Sequence, residues 1–455
     1  MKKVMLFALA LLMGWSCQKD QEQLTPIDPV PEAELSFVVP VDEALQRLEV
    51  ALDRIDGEVT RAGNRRMVTS IERVKAARAL RGGTRTMGDQ PALEDLFYIV
   101  SFGEGQGSAV LGADRRLESI YAILDETVLT AEDFNPPAST RSTLPTDDDS
   151  IRFVASEEEL TDFITGMIVN AAFPDRPTIP NPGVPEVPRQ HWERFIDTTA
   201  NIHIAPSLKT KWDQEDPFNL LYDTYRNEEG DIVKYYAGCT PIAIAQFLLG
   251  VQLPGTNVIN NVFFSWTALS RCEYGKSMST TDSMYVATFV KTIADAVNAN
   301  CRPEGTGAFL RSYTDELADA GITAEERVYT APLVEYAVRD YGAICITGWA
   351  TNTGERTGHS WVIDGIDALE CYDVYRVVQD ATGFIIEETR TALEGNHRLY
   401  HCNYGWSGLC DGYYTYSMFD TTEGPTAGYD PSIGDRYGIG SSNYNQDFTV
   451  LDYEL

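Results

Sequence analysis

Residues 235–250 read YYAGCTPIAIAQFLLG and combine a single cysteine with the start of a helix. The small residues Ala237 and Gly238 precede Cys239, and Pro241 suits the first turn of a helix, where its missing N–H costs nothing. Apolar residues then recur at helical spacing, which predicts a helix that begins at the cysteine. At a helix N-terminus the macrodipole and the free N–H groups favour the thiolate, which is the nucleophilic form. Because a lone cysteine is more often a small buried apolar side chain, this interpretation requires catalytic partners elsewhere in the chain.

Two later segments carry the residue types that a nucleophilic cysteine requires. GHSWVIDG at 358–365 predicts a strand with His359 near its start, at a rim where a general base would lie. HCNYGWSG at 401–408 ends a β-like run and places Asn403 where its amide could fix the tautomer of an imidazole. Trp406 could cover that hydrogen bond from water.

The order of these residues is more specific than any one of them. Cysteine, histidine and asparagine follow one another in this order in papain-like thiol proteases, where a helix carries the nucleophile and a sheet carries the other two. The separation of 120 residues between Cys239 and His359 lies close to the usual range. KWDQEDPFN at 211–219 adds Gln214 ahead of the cysteine, in the place of an oxyanion-hole glutamine.

The same motifs resemble those of streptopain-type cysteine peptidases. Four stretches carry the resemblance in the C-terminal half: WDQEDPFN at 212–219, AGC at 237–239 followed by Ala245-Gln246, GHSWVIDG at 358–365, and NYGWSGLCDG at 403–412. Smaller similarities are a small-residue loop, GTGA at 305–308, and propeptide-like stretches, YIVSF at 98–102, SAVL at 108–111 and ADRR at 113–116.

The resemblance implies an α+β fold and a peptidase made as an inactive zymogen. Its papain-like catalytic domain would have two subdomains, a helical one with the cysteine and an antiparallel sheet with the histidine and asparagine, preceded by an α+β propeptide domain. Substrates would be proteins or peptides, and the chain's own propeptide would act as an intramolecular inhibitor. Thr240 and Pro241 differ from the residues usual after the cysteine in that family, which bears on substrate preference and activity.

The resemblance also implies a role for each motif residue. Cys239 would be the nucleophile and His359 the base, with Asn403 orienting the imidazole. Trp406 would shield that pair from water, and Gln214 together with the Cys239 amide would bind the oxyanion.

The first 17 residues, MKKVMLFALALLMGWSC, predict export. Two lysines precede an apolar run that is too short to span a bilayer, and small residues lead to Cys17. This pattern resembles a bacterial lipoprotein signal, so we expect that Cys17 is lipidated and that the protein lies in the cell envelope, at the outer membrane. The alternative is an ordinary cleaved signal peptide, which would give a secreted protein. Residues 18–36 are polar and contain prolines, which predicts a tether.

Local patterns predict several elements before the catalytic segment. Val41–Ile55 has the apolar spacing of an amphipathic helix, and the apolar runs between 96 and 111, separated by glycines, predict a hairpin. Ser156–Asn170 predicts a second helix, in which Ser156 and Glu159 form a capping box.

Six prolines between 174 and 188 exclude a helix or a central strand there. The predicted organisation is therefore a signal at 1–17, a tether at 18–36, a propeptide-like domain at 37–173, a Pro-rich linker and processing region at 174–205, and a peptidase domain at 206–455.

Composition excludes some classes of partner. The 455 residues contain 36 Lys and Arg against 68 Asp and Glu, a formal charge of −32 that would repel nucleic acid. The eight cysteines form no Cys-x-x-Cys pair, and we expect neither a metal nor a cofactor. Disulfide pairing stays open for six of them: Cys272, Cys301, Cys345, Cys371, Cys402 and Cys410. His191, His203 and His397 belong to no motif and are expected at the surface.

Two other functions remain open from the sequence. An amidase or a transglutaminase-like acyl transferase would use the same three residues with a different acceptor. A catalytically silent relative, acting as a binding or inhibitory surface lipoprotein, would keep the fold without turnover.

Overall fold

The computed structural model describes most of the chain from residue 37 onwards. The described residues are 37–57, 66–76, 94–103, 105–134, 151–172, 190–272, 278–303, 305–319, 323–352, 355–379, 385–392, 395–419 and 443–454. The predicted signal, Cys17, the tether and the prolines between 174 and 188 lie outside them. Among the described residues, no helix is long and apolar enough to cross a bilayer.

Helices and strands alternate along this part of the chain. The α-helices are α1 Val41–Ile55, α2 Glu157–Ala171, α3 Cys239–Val251, α4 Trp266–Leu269, α5 Thr280–Ala296, α6 Thr314–Asp319 and α7 Ala331–Tyr341. The strands before α3 are β1 Ser70–Lys75, β2 Asp95–Ser101, β3 Ser108–Gly112, β4 Ile120–Leu124, β5 Ile151–Phe153, β6 Gln190–Ile204, β7 Thr224–Arg226 and β8 Ile232–Lys234. Those after it are β9 Val258–Ile259, β10 Val262–Phe263, β11 Thr323–Val328, β12 Ile344–Asn352, β13 Glu355–Gln379, β14 Ile385–Ala392, β15 His397–Asn403, β16 Gly412–Thr415 and β17 Asn443–Glu454.

One large sheet organises the fold. Its strands follow the order β1-β2-β3-β4-β16-β15-β13-β12-β17-β11, and β14, β5 and β6 also pair with the long strand β13. The neighbours pair antiparallel, apart from β5, which runs parallel to β13. The α+β prediction with an antiparallel sheet is confirmed.

The sheet runs across the predicted boundary between the two domains. Strand β4 of the N-terminal part pairs with β16 of the C-terminal part, and residues 37–455 form one compact unit. The linker prediction for 174–205 is wrong in its last part, because Gln190–Ile204 forms strand β6 along β13. The strand forms because residues 190–204 pair with a strand that is distant in the sequence, and no local pattern reveals that pairing.

Several local predictions are confirmed. Helix α1 has the predicted bounds, and β2 and β3 form the predicted hairpin. At the start of α2 the Glu159 N–H donates to Ser156 Oγ at 3.1 Å. The Glu159 carboxylate accepts from the Ala155 N–H rather than from Ser156, so the capping box closes one residue earlier than in the usual pattern.

Helix α3, which begins at Cys239, lies in an apolar core. Residues 239–249 of α3 are all buried, which fits a helix that is apolar on every side. It packs in one core with Trp212 and Phe289 of the helical half, and it also contacts β12 and β13 of the sheet. The cysteine therefore sits at the boundary between a helical half and a sheet half.

Candidate active site

Cys239 begins α3, as predicted from its sequence context. The preceding Gly238 has φ of 95°, a conformation that favours glycine. A Cβ at Gly238 would also lie 2.7 Å from the carbonyl oxygen of Thr306. A side chain at Gly238 would therefore push this turn away from the 305–308 loop.

The Cys239 thiol is buried among aromatic rings. Only 1% of the residue is exposed, and it packs with Phe153 and Trp349, next to Phe309. Burial raises the pKa of the Cys239 thiol to about 11, although a backbone hydrogen bond with Ser360 works in the other direction. In this state the thiol is neutral at physiological pH, even at a helix N-terminus.

His359 lies inside β13 rather than at a strand start. It is opposite Gly348 of β12 and fully buried, so the predicted rim position is wrong. Its Nε2 lies 2.9 Å from the Tyr404 carbonyl oxygen, which can only accept, so Nε2 carries the proton. Burial lowers the pKa of His359 to about 4, and the ring is therefore neutral with a basic Nδ1. That Nδ1 is buried and has no hydrogen-bond partner.

Aromatic rings surround this imidazole, and one belongs to the N-terminal part. The Phe163 ring of α2 meets the His359 ring edge-on at 6.1 Å between centroids. Trp361 and Tyr404 stack on the imidazole at 6.0 and 5.9 Å. Helix α2 thus helps to hold the predicted base in its present place.

Asn403 ends β15, as predicted, but it does not bond the imidazole in this state. Its Oδ1 accepts from Gln246 Nε2 at 2.9 Å and from the Gly405 N–H at 3.2 Å. Its Nδ2 donates to the Thr210 carbonyl at 2.8 Å. Both lone pairs of Oδ1 are engaged, and the neighbouring Tyr404 carbonyl takes the imidazole N–H instead. Within the described residues, no hydrogen bond joins His359 to Cys239 either.

Gln214 and Trp406 both contact the residues just before Cys239. The Gln214 carbonyl accepts from the Ala237 N–H at 2.7 Å, two residues before Cys239. The Gln214 Nε2 is buried with no partner, which leaves a donor available for an anion. The Trp406 ring packs against Tyr236, with centroids 6.0 Å apart.

A chain of hydroxyl groups, which the sequence did not reveal, begins at Thr240, the residue after Cys239. Thr240 Oγ1 donates to the Ala308 carbonyl at 2.8 Å, so its single proton is used there. The Ser360 hydroxyl, 2.9 Å away, must then donate to Thr240, and Thr347 must donate to Ser360 at 2.7 Å. The unusual threonine after Cys239 thus joins α3 to β12 and β13.

A segment of the N-terminal part lies against Cys239. Strand β5 pairs with residues 356–358 of β13, and the Val154 N–H donates to the Gly358 carbonyl at 3.1 Å. The Phe153 ring is 5.5 Å from Trp349 and 6.5 Å from Phe309 between centroids. A Cβ at Gly307 would lie 1.8 Å from that ring, so the missing side chain makes room for it.

The expected surface position of His203 and His397 is wrong for His397. Its side chain is buried and bonds Asp367, which also receives His203 Nδ1 at 2.9 Å. Arg54 of α1 donates from Nε to both oxygens of the same carboxylate at 3.0 Å. A pairing between β13, β15 and β6 creates this cluster, so only long-range register could have predicted it.

Cysteines 239, 272, 301, 345, 371, 402 and 410 are free thiols in the structure. In the part of the chain that the structure describes, His, Cys, Asp and Glu form no group of three that could hold a metal ion.

Comparison with known proteins identifies the catalytic segment. Residues 212–414 match the model of the Peptidase C10 family. The active wild-type interpain A cysteine protease of Prevotella intermedia is 19% identical, with a TM-score of 0.37 over 55% of this chain and 94% of that chain. A fragment of prointerpain A from the same organism is 16% identical, with a TM-score of 0.42 over 84% of this chain and 98% of that one. No curated protein matches the sequence. The matched segment contains all five predicted site residues, so over residues 212–414 the chain is similar to cysteine peptidases of the C10, or streptopain, family.

Proposed function

We propose that the chain is the zymogen of an exported cysteine endopeptidase that cleaves proteins through an acyl-enzyme on Cys239. One observation carries the proposal: the nucleophile, a base and an oxyanion donor occur together without their reaction partners. Cys239 is a free buried thiol, His359 Nδ1 is a buried base without a donor, and Gln214 Nε2 is a buried donor without an acceptor. Buried polar atoms of this kind are uncommon and call for a role.

The reaction would proceed by acyl transfer. The Cys239 thiol gives its proton to His359, and the sulfur forms a bond to the substrate carbonyl carbon. Gln214 and the Cys239 amide donate to the oxyanion, and the loss of one such donor typically costs about 10²–10³ in rate. The imidazolium then protonates the leaving amine as the C–N bond breaks, and water hydrolyses the thioester to release the acid and the thiol.

The N-terminal part would hold this site inactive. Phe153 contacts the nucleophile and Phe163 contacts the base, and both residues precede the processing region. A neutral thiol and a neutral imidazole are the expected consequence of this burial. Cleavage within 174–205 would allow α2 and β5 to leave the site. Within that range we expect the cut before β6 rather than inside it, because β6 is paired along β13.

The test is the Cys239→Ala variant of the full chain, with Cys371→Ala as a matched control, since Cys371 is a half-exposed thiol on the far part of β13. We expect Cys239→Ala to lose self-processing and cleavage of casein, while the control keeps both. Undiminished cleavage by Cys239→Ala would reject the mechanism. Release of free amine without new peptide termini would favour an amidase.

Export and anchoring through Cys17 belong to the same proposal, on the strength of the N-terminal pattern. Metabolic labelling with a radioactive fatty acid should mark the wild-type chain and not the Cys17→Ser variant. Equal labelling of both would reject lipidation at this residue.

A further inference from the structure

Gln246 lies on the nucleophile helix, two turns after Cys239. Because α-helices have 3.6 residues per turn, positions seven apart fall on nearly the same face. Gln246 is fully buried and stands among apolar neighbours, in the run IAIAQFLLG at 242–250. A buried amide in such a helix requires a specific partner.

That partner is the predicted orienting asparagine. Gln246 Nε2 donates to Asn403 Oδ1 at 2.9 Å, and both side chains are buried. The other amide atom of Gln246, Oε1, is buried without a partner. A buried carbonyl oxygen without a partner lowers the stability of the fold. A glutamine that served stability alone would not be expected here, which points to a role in function.

The contacts around Asn403 determine which way its amide faces. The Thr210 carbonyl can only accept, so it requires the amide nitrogen of Asn403, at 2.8 Å. The Gln246 Nε2 and the Gly405 N–H can only donate, so they require the amide oxygen. Gln246 is the only side chain among these partners, and it comes from the helix that carries the nucleophile.

We propose that Gln246 is a positioning residue for the peptidase reaction. Its amide N–H ties α3 to Asn403 and holds the Asn403 oxygen on the side from which an imidazole N–H can be accepted. At present His359 donates to the carbonyl of Tyr404, the next residue along the chain. A shift of the imidazole N–H from that carbonyl to Asn403 Oδ1 would replace the longer Gly405 bond on one lone pair, while Gln246 stays on the other and keeps the oxygen oriented. This inference rests on the proposed function.

The test replaces Gln246 by methionine, which is similar in shape and donates no hydrogen bond. Leu248→Met is the matched control, since Leu248 is a buried apolar residue of the same helix. Each full-length chain is matured by a trace of wild-type enzyme, and active sites are counted with a thiol-directed epoxide. Steady-state kinetics with a fluorogenic peptide then give kcat per labelled site and KM. Counting sites keeps a partly misfolded preparation from mimicking slow turnover, and Gln246→Leu serves as a second variant.

We expect kcat of Gln246→Met to fall roughly 2- to 10-fold, the factor worth one ordinary hydrogen bond, with KM unchanged. In an Asn403→Ala background the same substitution should have almost no further effect, because Gln246 acts through Asn403. An unchanged kcat, or an equal fold-loss in both backgrounds, would overturn the positioning role. Activity that survives in Cys239→Ala would instead reject the proposed function, whatever Gln246 does.

Discussion

Replacement of Phe153 by alanine should expose the nucleophile of the intact chain. Phe153 is 7% exposed, and its ring lies between Cys239, Trp349 and the bare backbone of Gly307. Without the ring, β5 keeps its backbone pairing to β13 but loses its main contact in the cleft. The segment should therefore leave the cleft more often.

The structure permits an estimate of the effect. Truncation of a buried phenylalanine to alanine typically costs about 3–5 kcal/mol, and the two aromatic pairs of Phe153 account for about 0.5–1.5 kcal/mol each. Since the edge of a cleft relaxes more easily than a core, we take about 3 kcal/mol as the change in the opening equilibrium. That value raises the population of the open state roughly 100-fold.

The assay is the initial rate at which iodoacetamide alkylates Cys239 in the full-length chain, followed by intact mass and peptide mapping before processing begins. Phe134→Ala is the matched control, since Phe134 is also a buried ring of the N-terminal part, and it packs on Phe97 in a different cluster from Cys239. Phe153→Ala should be labelled far faster than the wild type, and the control should not. Equal labelling rates in all three chains would refute the view that Phe153 covers the nucleophile.

Three further outcomes follow from charge and burial. Burial raises the pKa of Cys239 to about 11, so the rate of alkylation in the unprocessed chain should rise about tenfold per pH unit up to that pH. After processing, the midpoint of this rate-against-pH curve should move to lower pH, which a pH series of labelling rates would show. Burial lowers the pKa of His359 from 6.5 to about 4, so on acidification the unfolded chain takes up the imidazole proton before the folded chain does. The free energy of unfolding should therefore fall as the pH drops from 6.5 towards 4. Denaturant titrations should show that His359→Phe removes about 3 kcal/mol of that loss. Arg54→Met should lower the free energy of unfolding by about 1–3 kcal/mol, because it removes one partner of the buried Asp367, and thermal melts should show no such change for Arg339→Met at an exposed pair.

Local patterns in the sequence predicted the elements that depend on near neighbours. Helix α1, the β2–β3 hairpin, the Ser156 cap and the start of α3 at Cys239 are examples. Apolar periodicity and capping involve residues within a few positions of one another, so a single sequence contains the necessary information.

Strands β5 and β6 could not be predicted in this way. Residues 151–153 pair with 356–358, about two hundred positions along the chain, and residues 190–204 pair with the far part of β13. Neither stretch alternates clearly between apolar and polar residues. Their state depends on the register of a distant strand, and so does the burial of His397 beside Asp367.

The sequence alone determined which residues form the candidate site: a cysteine at a helix start, followed in order by a histidine and an asparagine. The tertiary structure decided which partner each group has. His359 donates to the Tyr404 carbonyl, Asn403 accepts from Gln246, and Phe153 packs in one cluster with Cys239. The physical reason is that residue type sets which bonds a side chain can make, whereas long-range packing sets which of those partners lies within about 3 Å.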